Sequence, residues 1–322
     1  MNHLVSGGAG FIGSHLVDAL LARGDEVLIL DDLSTGSREN VENALASQRA
    51  ELVEGSVCDE ALVAECAECV DTCFHLASAV GVELIVRRPL ESLLRNVRGA
   101  DVVAAAACRL DKRLLFASTS EIYGKSNHGA LREDSDRVLG PPAVARWSYS
   151  TAKAFGEAVS LGYHREQGAE TVIARLFNTV GARQAGTHGM VLPRFVEQAL
   201  RGDDLTVYGS GEQSRCFAHV DDTVRALIAL MDTEVARGGT FNVGGSAEIK
   251  VLDLAQMVIE RTGSTSGIRH VPYEEAYGEG FEEPDSRRPD TSALEALTGW
   301  APTLGVEDAI DDVAALCLTA SI

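Results

Sequence analysis

The 322-residue sequence predicts an α/β fold, a doubly wound parallel sheet with a smaller α/β substrate-binding unit beside it. Three observations carry this. Short apolar runs alternate with longer helix-patterned segments from Leu4 to about Phe177, a glycine-rich turn joins the first run to the first helix, and the alternation loosens beyond Phe177.

The elements follow in order. "HLVS" reads as the first strand, and "GGAGFIGSHLVDALLARG" turns from it into the first helix. "EVLILD", "ELVEG", "TCFHLA", "RLLFAST" and "TVIARLF" read as further buried strands. Later, "VLPRFVEQALRG" and the amphipathic "KVLDLAQMVIERTG" read as helices and "LTVYG" as a strand. Between them, "CFAHVDDTVRALIALMD" and "GTFNVGG" read as a helix and a strand that bring the chain back to the first unit. Residues 1–176, rejoined by 213–244, are therefore expected to form the larger domain, and residues 177–212 and 245–322 the smaller one. The acidic stretch "YEEAYGEGFEEPDSRRPD" is expected to be a loop over a cleft.

Composition narrows the function. The chain carries 28 Lys+Arg against 48 Asp+Glu, a net charge of −20, which argues against nucleic acid or an anionic membrane as the main partner. No run approaches the roughly 20 apolar residues of a membrane span, and "MNHLVSGGAG" has no basic or long apolar leader, so a cytoplasmic protein is expected. Cys66, Cys69 and Cys73 cluster in "ECAECVDTC", but no fourth ligand lies at suitable spacing. They are expected to pack as small apolar side chains, with no metal bound.

Gly7, Gly10 and Gly13, with Phe11 and Ile12 among them, stand at G-x-x-G-x-x-G spacing where the first strand meets the first helix. Glycines there permit a tight turn and close approach of backbone to a pyrophosphate, which then sits at the positive helix N-terminus. Asp31 ends the second strand about 20 residues beyond the loop, where an acid accepts hydrogen bonds from the adenosine ribose. A carboxylate at that place repels a 2′-phosphate, so NAD is expected rather than NADP. Asp59 in "GSVCD" is either a contact to adenine or a helix N-cap.

Tyr149 and Lys153 in "RWSYSTAKAFGE" lie at i and i+4, on one face of a helix. The ammonium is expected to lower the phenol's pKa from about 10, so that a tyrosinate can act as a base on a sugar hydroxyl.

Taken with "DDLSTGSREN", "FHLAS", "STSEIYG", "ARLFNTVGARQ" and "LTVYGSGEQSRCFAHVDD", these motifs resemble the extended short-chain dehydrogenase/reductase family in its branch of nucleotide-sugar epimerases, dehydratases and decarboxylases. The resemblance covers nearly the whole chain. It implies a Rossmann domain binding NAD, a UDP-sugar substrate, and a homodimer formed through helices of the first domain. By resemblance, Thr119 and Tyr149 hydrogen-bond the sugar's C4 hydroxyl, Lys153 also holds the nicotinamide ribose, and Asn96 borders the site. In the smaller domain, Asn178 and Arg215 are implied to contact the diphosphate, and the "TVYG" segment containing Tyr208 to line the uracil. Arg183 and Arg287 lie in loops expected to face the cleft, where arginines suit a diphosphate or a carboxylate.

The branch shares one first step, in which Tyr149 takes the C4 hydroxyl proton as a hydride passes to NAD. "TSE", formed by Thr119, Ser120 and Glu121, then discriminates. Dehydratases carry Asp-Glu after the threonine, a pair that Ser120 breaks, and simple epimerases usually carry a small hydroxyl residue in place of Glu121. UDP-glucuronate decarboxylases carry Thr-Ser-Glu. The resemblance thus implies oxidative decarboxylation of UDP-glucuronate through a 4-keto intermediate, to UDP-xylose or a UDP-4-keto-pentose. Glu121 is expected to hydrogen-bond ring hydroxyls or a water, and Ser120 and Arg287 to serve the C6 region, with Arg287 or a water as proton donor. The alternatives are a UDP-glucuronate 4-epimerase, which shares almost every motif except Glu121, and a non-catalytic NAD-binding regulator on the same fold.

Overall fold

A computed structural model describes residues 1–79, 88–126, 129–186, 190–277 and 287–320. Seven parallel strands form its central sheet: β1 (Asn2–Ser6), β2 (Glu26–Asp31), β3 (Ala50–Glu54), β4 (Thr72–His75), β5 (Arg113–Thr119), β6 (Thr171–Leu176) and β7 (Thr240–Val243). Their spatial order is β7-β6-β5-β4-β1-β2-β3. The order reverses between β1 and β4, which opens a crevice beyond the carboxyl ends of those strands. β4 is buried along its whole length and β5 from Leu114 onward, as strands covered on both faces must be. β7 pairs in parallel with β6, so the "GTFNVGG" strand returns to the first sheet as expected.

Eight helices matter for the site: α1 (Phe11–Ala22), α2 (Glu60–Glu68), α3 (Pro89–Arg109), α4 (Arg146–Gln167), α5 (Val191–Arg201), α6 (Val220–Asp232), α7 (Val251–Thr262) and α8 (Val306–Ala320). Leu16 and Leu20 of α1 and Leu227 and Leu230 of α6 pack with Val5, Ile29, Leu115 and Val172 of the sheet. Each such leucine, fully buried, contributes up to about 1.5–3 kcal/mol. Val102, Val103 and Ala106 of α3 pack with Leu4, Leu30 and Leu114. Cys66 and Cys73 belong to that cluster, and burial pushes their thiols up to about 11 and about 12.

A second core joins Leu192, Phe195 and Val196 of α5 to Leu254 and Val258 of α7 and Ile310 of α8. It lies beside the parallel pair Leu205–Tyr208 and Ile268–Val271. Leu294 and Trp300, although late in the sequence, insert into the first core, where the Trp300 indole donates to Asp222 O at 2.9 Å. Of the acidic stretch, Tyr273–Tyr277 is a helical turn, residues 278–286 lie outside the described residues, and Arg288–Pro289 pairs with Ala130–Leu131. No helix among the described residues is long and apolar enough to cross a membrane.

Candidate active site

A cleft of about 500 Å³ runs from the glycine turn to the second core, lined by Gly7, Asp31, Thr119, Tyr149, Arg215 and Tyr273 among others. At one end Gly7 adopts φ +75°, and a Cβ there would lie 2.6 Å from Ala77 N. A Cβ on Gly13 would stand 2.0 Å from Gly7 O. The turn closes on β4 and on itself only because both side chains are absent. Gly10 caps α1 without a side-chain hydrogen bond, and the first turn carries no acid. The first amides of α1 are therefore left to an anion. Phe11 and Ile12 line the same wall.

Asp31 is buried at the end of β2. Its Oδ2 accepts from Ala9 N and its Oδ1 from Leu33 N, each at 2.9 Å. Burial pushes its carboxyl above the usual range, although the two amides oppose the shift. These bonds fix the orientation and leave lone pairs for a ribose diol, whose hydroxyls can only donate to them. The glycine cradle and the oriented acid fit NAD. Asp59, in contrast, caps α2 through Ala61 N and Leu62 N, and Val57 and Cys58 take the cleft wall beside it. Its position is that of the N-cap, because a short side chain at a helix start meets its own amides first.

Tyr149 and Lys153 share one face of α4, and both are buried on the cleft. Burial pushes the Tyr149 phenol up to about 12, helped by the Glu121 carboxylate; hydrogen bonds with Ser78 and Thr119 pull the other way. The lowering expected from Lys153 is not found. Its ammonium instead donates to Ala117 O at 2.8 Å, and burial brings it down to about 8. Ser78 donates in turn to Asn96 Oδ1 at 3.0 Å, and Asn96 is held by both the N–H and the carbonyl of Ala79. Asn96 thus acts on the phenol only through Ser78.

Glu121 points into a cluster of arginines. Its Oε1 accepts from Arg287 Nη1 at 2.7 Å and from Arg146 Nη2 at 3.3 Å. Against a burial cost, Arg146, Arg287 and Arg215 hold the carboxyl down at about 2. Both guanidinium contacts fall on Oε1. Arg287 is 4% exposed, and its Nε and Nη2 have no hydrogen-bond partner among the described residues. Glu121 therefore satisfies the guanidinium through Nη1 alone, and Arg287 lines the cleft. Ser120 lies on the same wall.

The second-core end of the cleft carries Asn178, Arg183, Tyr208 and Arg215. Arg183 pairs with Asp18 of α1 at 2.8 Å, and Arg215 Nη1 donates to Ser214 O at 2.6 Å. Arg194 stacks over the Tyr208 ring at 4.0 Å. Sequence reading missed Arg194, Arg146 and Ser78. Arg146 stands three residues before Tyr149 on the same helix, and Ser78 lies just beyond the carboxyl end of β4, so helical spacing and strand-end position could have found both.

A family model described as the NAD dependent epimerase/dehydratase family matches residues 3–244. A UDP-N-acetyl-alpha-D-glucosaminuronate decarboxylase of Bacillus cytotoxicus is 38% identical over 310 residues, 96% of this chain and 95% of that protein. UDP-glucuronic acid decarboxylase 1 of Danio rerio is 35% identical over 96% of this chain and 70% of its own. Among solved structures, a UDP-glucuronic acid 4-epimerase of Bacillus cereus, in complex with UDP-glucuronic acid and NAD, superposes with a TM-score of 0.89. It is 25% identical, over 99% of this chain and 100% of that one.

Proposed function

We infer that this chain, which belongs to the NAD dependent epimerase/dehydratase family, is an NAD-dependent decarboxylase of UDP-glucuronate. The observation that carries the reading is the pairing of Arg287 with Glu121 at 2.7 Å on the wall of the cleft that also holds Tyr149. A guanidinium at that place suits a sugar carboxylate, and the relatives named as decarboxylases support the reaction.

Bound NAD, held by the glycine turn, the α1 N-terminus and Asp31, supplies the acceptor for the hydride that leaves C4. Tyr149 takes the C4 hydroxyl proton in its phenolate form, which burial disfavours and which the positive charge of bound NAD would favour. Thr119 Oγ1 accepts from Glu121 N at 3.2 Å and hydrogen-bonds Tyr149, which fixes its hydroxyl beside the base. Oxidation at C4 puts a ketone β to the C6 carboxylate. The C5–C6 bond then breaks, CO₂ leaves, and the electron pair becomes an enolate with its charge on the C4 oxygen. Tyr149, protonated by the first step, donates to that oxygen, and C5 takes its proton from water.

Glu121 has a part in this second step. The substrate carboxylate loses its charge on becoming CO₂, so a strong uncompensated grip by Arg287 would stabilise the ground state and slow the cleavage. With Glu121 on Nη1, the guanidinium orients the carboxylate while its charge is partly offset. The product is a UDP-4-keto-pentose, or UDP-xylose where the hydride returns to C4.

A second reading keeps the reaction and changes the substituent at C2 to N-acetyl, as in the name of the Bacillus cytotoxicus relative. Incubation with NAD and carboxyl-labelled UDP-glucuronate tests the first reading: labelled CO₂ is expected. Label retained in a C4-inverted sugar would replace the decarboxylase with an epimerase. Label released only from the N-acetylated nucleotide would move the substrate to the second reading.

The enzyme is proposed to work in the cytoplasm, consistent with seven free cysteines. It is also proposed to be a homodimer. Leu90 and Leu94 of α3 and Phe155 of α4 are 67%, 58% and 40% exposed on two helices that pack on one another, an apolar face suited to a second copy.

A further inference from the structure

Behind the cleft, and touching its lining only at Ser118, lies a buried polar chain that the reaction does not use. Glu157 of α4 accepts from Arg175 Nε and Nη2 at 2.9 and 2.8 Å, and from the Ser118 hydroxyl. Arg175 Nη1 donates to the Tyr123 hydroxyl at 2.9 Å, and Tyr123 donates to Asn242 Oδ1 at 2.6 Å. Asn242 Nδ2 donates to Leu131 O at 2.9 Å and to Asp290 O at 3.1 Å. Asn242 is 0% exposed, and Tyr123, Glu157 and Arg175 are buried too.

The protons in this chain have only one arrangement. The Tyr123 oxygen receives Arg175, so its own proton must go to Asn242 Oδ1; the Asn242 amide nitrogen then faces two carbonyls, which can only accept. Flipping the amide would break three bonds in a buried site, each left unmade at a cost of about 1–3 kcal/mol.

The two ends of the Asn242 amide hold two different pieces of the active site. Tyr123 ends the short turn Ser120–Tyr123 that carries Glu121. Leu131 ends one strand of the parallel pair Ala130–Leu131 and Arg288–Pro289, and Asp290 follows the other, which begins directly after Arg287. Asp290 N also donates to Leu131 O at 2.8 Å, so the pair and the amide form one unit. We propose that Asn242 and Tyr123 are positioning residues that set the register between Glu121 and Arg287, and through it the decarboxylation step. The proposal rests on the decarboxylase reading.

Its mark is a split between two steps. Thr119, Tyr149 and Lys153 are placed by β5 and α4, so C4 oxidation is expected to survive when the Asn242 link is cut. Arg287 would drift from Glu121, and CO₂ release would suffer. The experiment follows single turnovers of carboxyl-labelled UDP-glucuronate with NAD, reading NADH absorbance for oxidation and labelled CO₂ for cleavage. Asn242→Asp keeps the acceptor for Tyr123 and sets a carboxylate against the two carbonyls; Tyr123→Phe cuts the chain at the Glu121 turn. In each, oxidation is expected within about twofold of wild type, with CO₂ release slowed by about tenfold or more and the oxidised sugar accumulating. Equal loss in both steps, or no loss in either, overturns the proposal. Should Asn242→Asp fail to fold, Tyr123→Phe alone decides. Wild-type enzyme that oxidises C4 without releasing label defeats the decarboxylase reading itself, a different result from variants that lose both steps while wild type releases CO₂.

Discussion

Arg287 and Glu121, 166 positions apart in the sequence, meet at 2.7 Å on the wall of the cleft, and Arg146 closes on the same carboxylate oxygen at 3.3 Å. Their contact joins the end of the acidic stretch to the turn that follows β5. The pairing makes Glu121 a charged partner of arginine at every working pH rather than a group that titrates during turnover.

The acid stability of the fold is expected to report this. The Glu121 pKa is depressed from the ordinary 4.5 to about 2, so its stabilisation is fully present above 4.5 and lost as pH falls through about 2. Glu121→Gln is expected to lower stability at neutral pH by up to about 3 kcal/mol, with the difference from wild type shrinking as pH falls from 4.5 toward 2. Denaturant unfolding at a series of pH values checks it. A constant difference across that window would mean the carboxylate is not held by its arginines.

The base should respond to its neighbours in opposite directions. Ser78 and Thr119 lower the Tyr149 phenol and Glu121 raises it. Loss of the Thr119 hydroxyl in Thr119→Val is therefore expected to move the pH profile of C4 oxidation to higher pH, and Glu121→Gln to move it to lower pH. The profile must also be read against Lys153 itself, whose charge is lost above about 8, and against Arg146 and Arg287, whose charges face Glu121. Tyr149→Phe is expected to abolish NADH formation while NAD still binds, as calorimetry can show.

Gly13→Ala is expected to eliminate NAD binding. The new Cβ would sit 2.0 Å from Gly7 O, and neither atom belongs to a flexible side chain. Thermal shift with and without NAD distinguishes a lost site from a lost fold, and normal NAD affinity in this variant would mean the turn is looser than described.

Leu94→Asp tests the proposed homodimer. A charge on the exposed apolar face of α3 is expected to give monomers by sedimentation with the central sheet intact by circular dichroism. Undisturbed dimers would place the interface elsewhere.

The sequence disclosed whatever was local. The glycine turn, Asp31 and the Tyr149–Lys153 pair could be read because a loop and its helix, or one helical turn, bring those residues together by spacing alone. The parallel sheet and the return of β7 to it followed from the alternation of apolar runs. What escaped depends on tertiary approach. The i,i+4 rule put Lys153 on the face of Tyr149 but could not show that burial would dominate the phenol, or that the ammonium would turn to Ala117 O. Glu121 stood out as an acid at a strand end, yet its arginine partners come from α4 and from the end of the acidic stretch. Asp59 shows the reverse difficulty, since a cap and a ligand contact use the same residue type at a helix start.

The most direct test of the account is the product formed from UDP-glucuronate and NAD, read by mass spectrometry and proton NMR of the sugar nucleotide. Loss of the mass of CO₂, with a pentose or 4-keto-pentose ring in the spectrum, is the expected result. An unchanged mass with an inverted C4 signal would contradict it and assign the site to epimerisation.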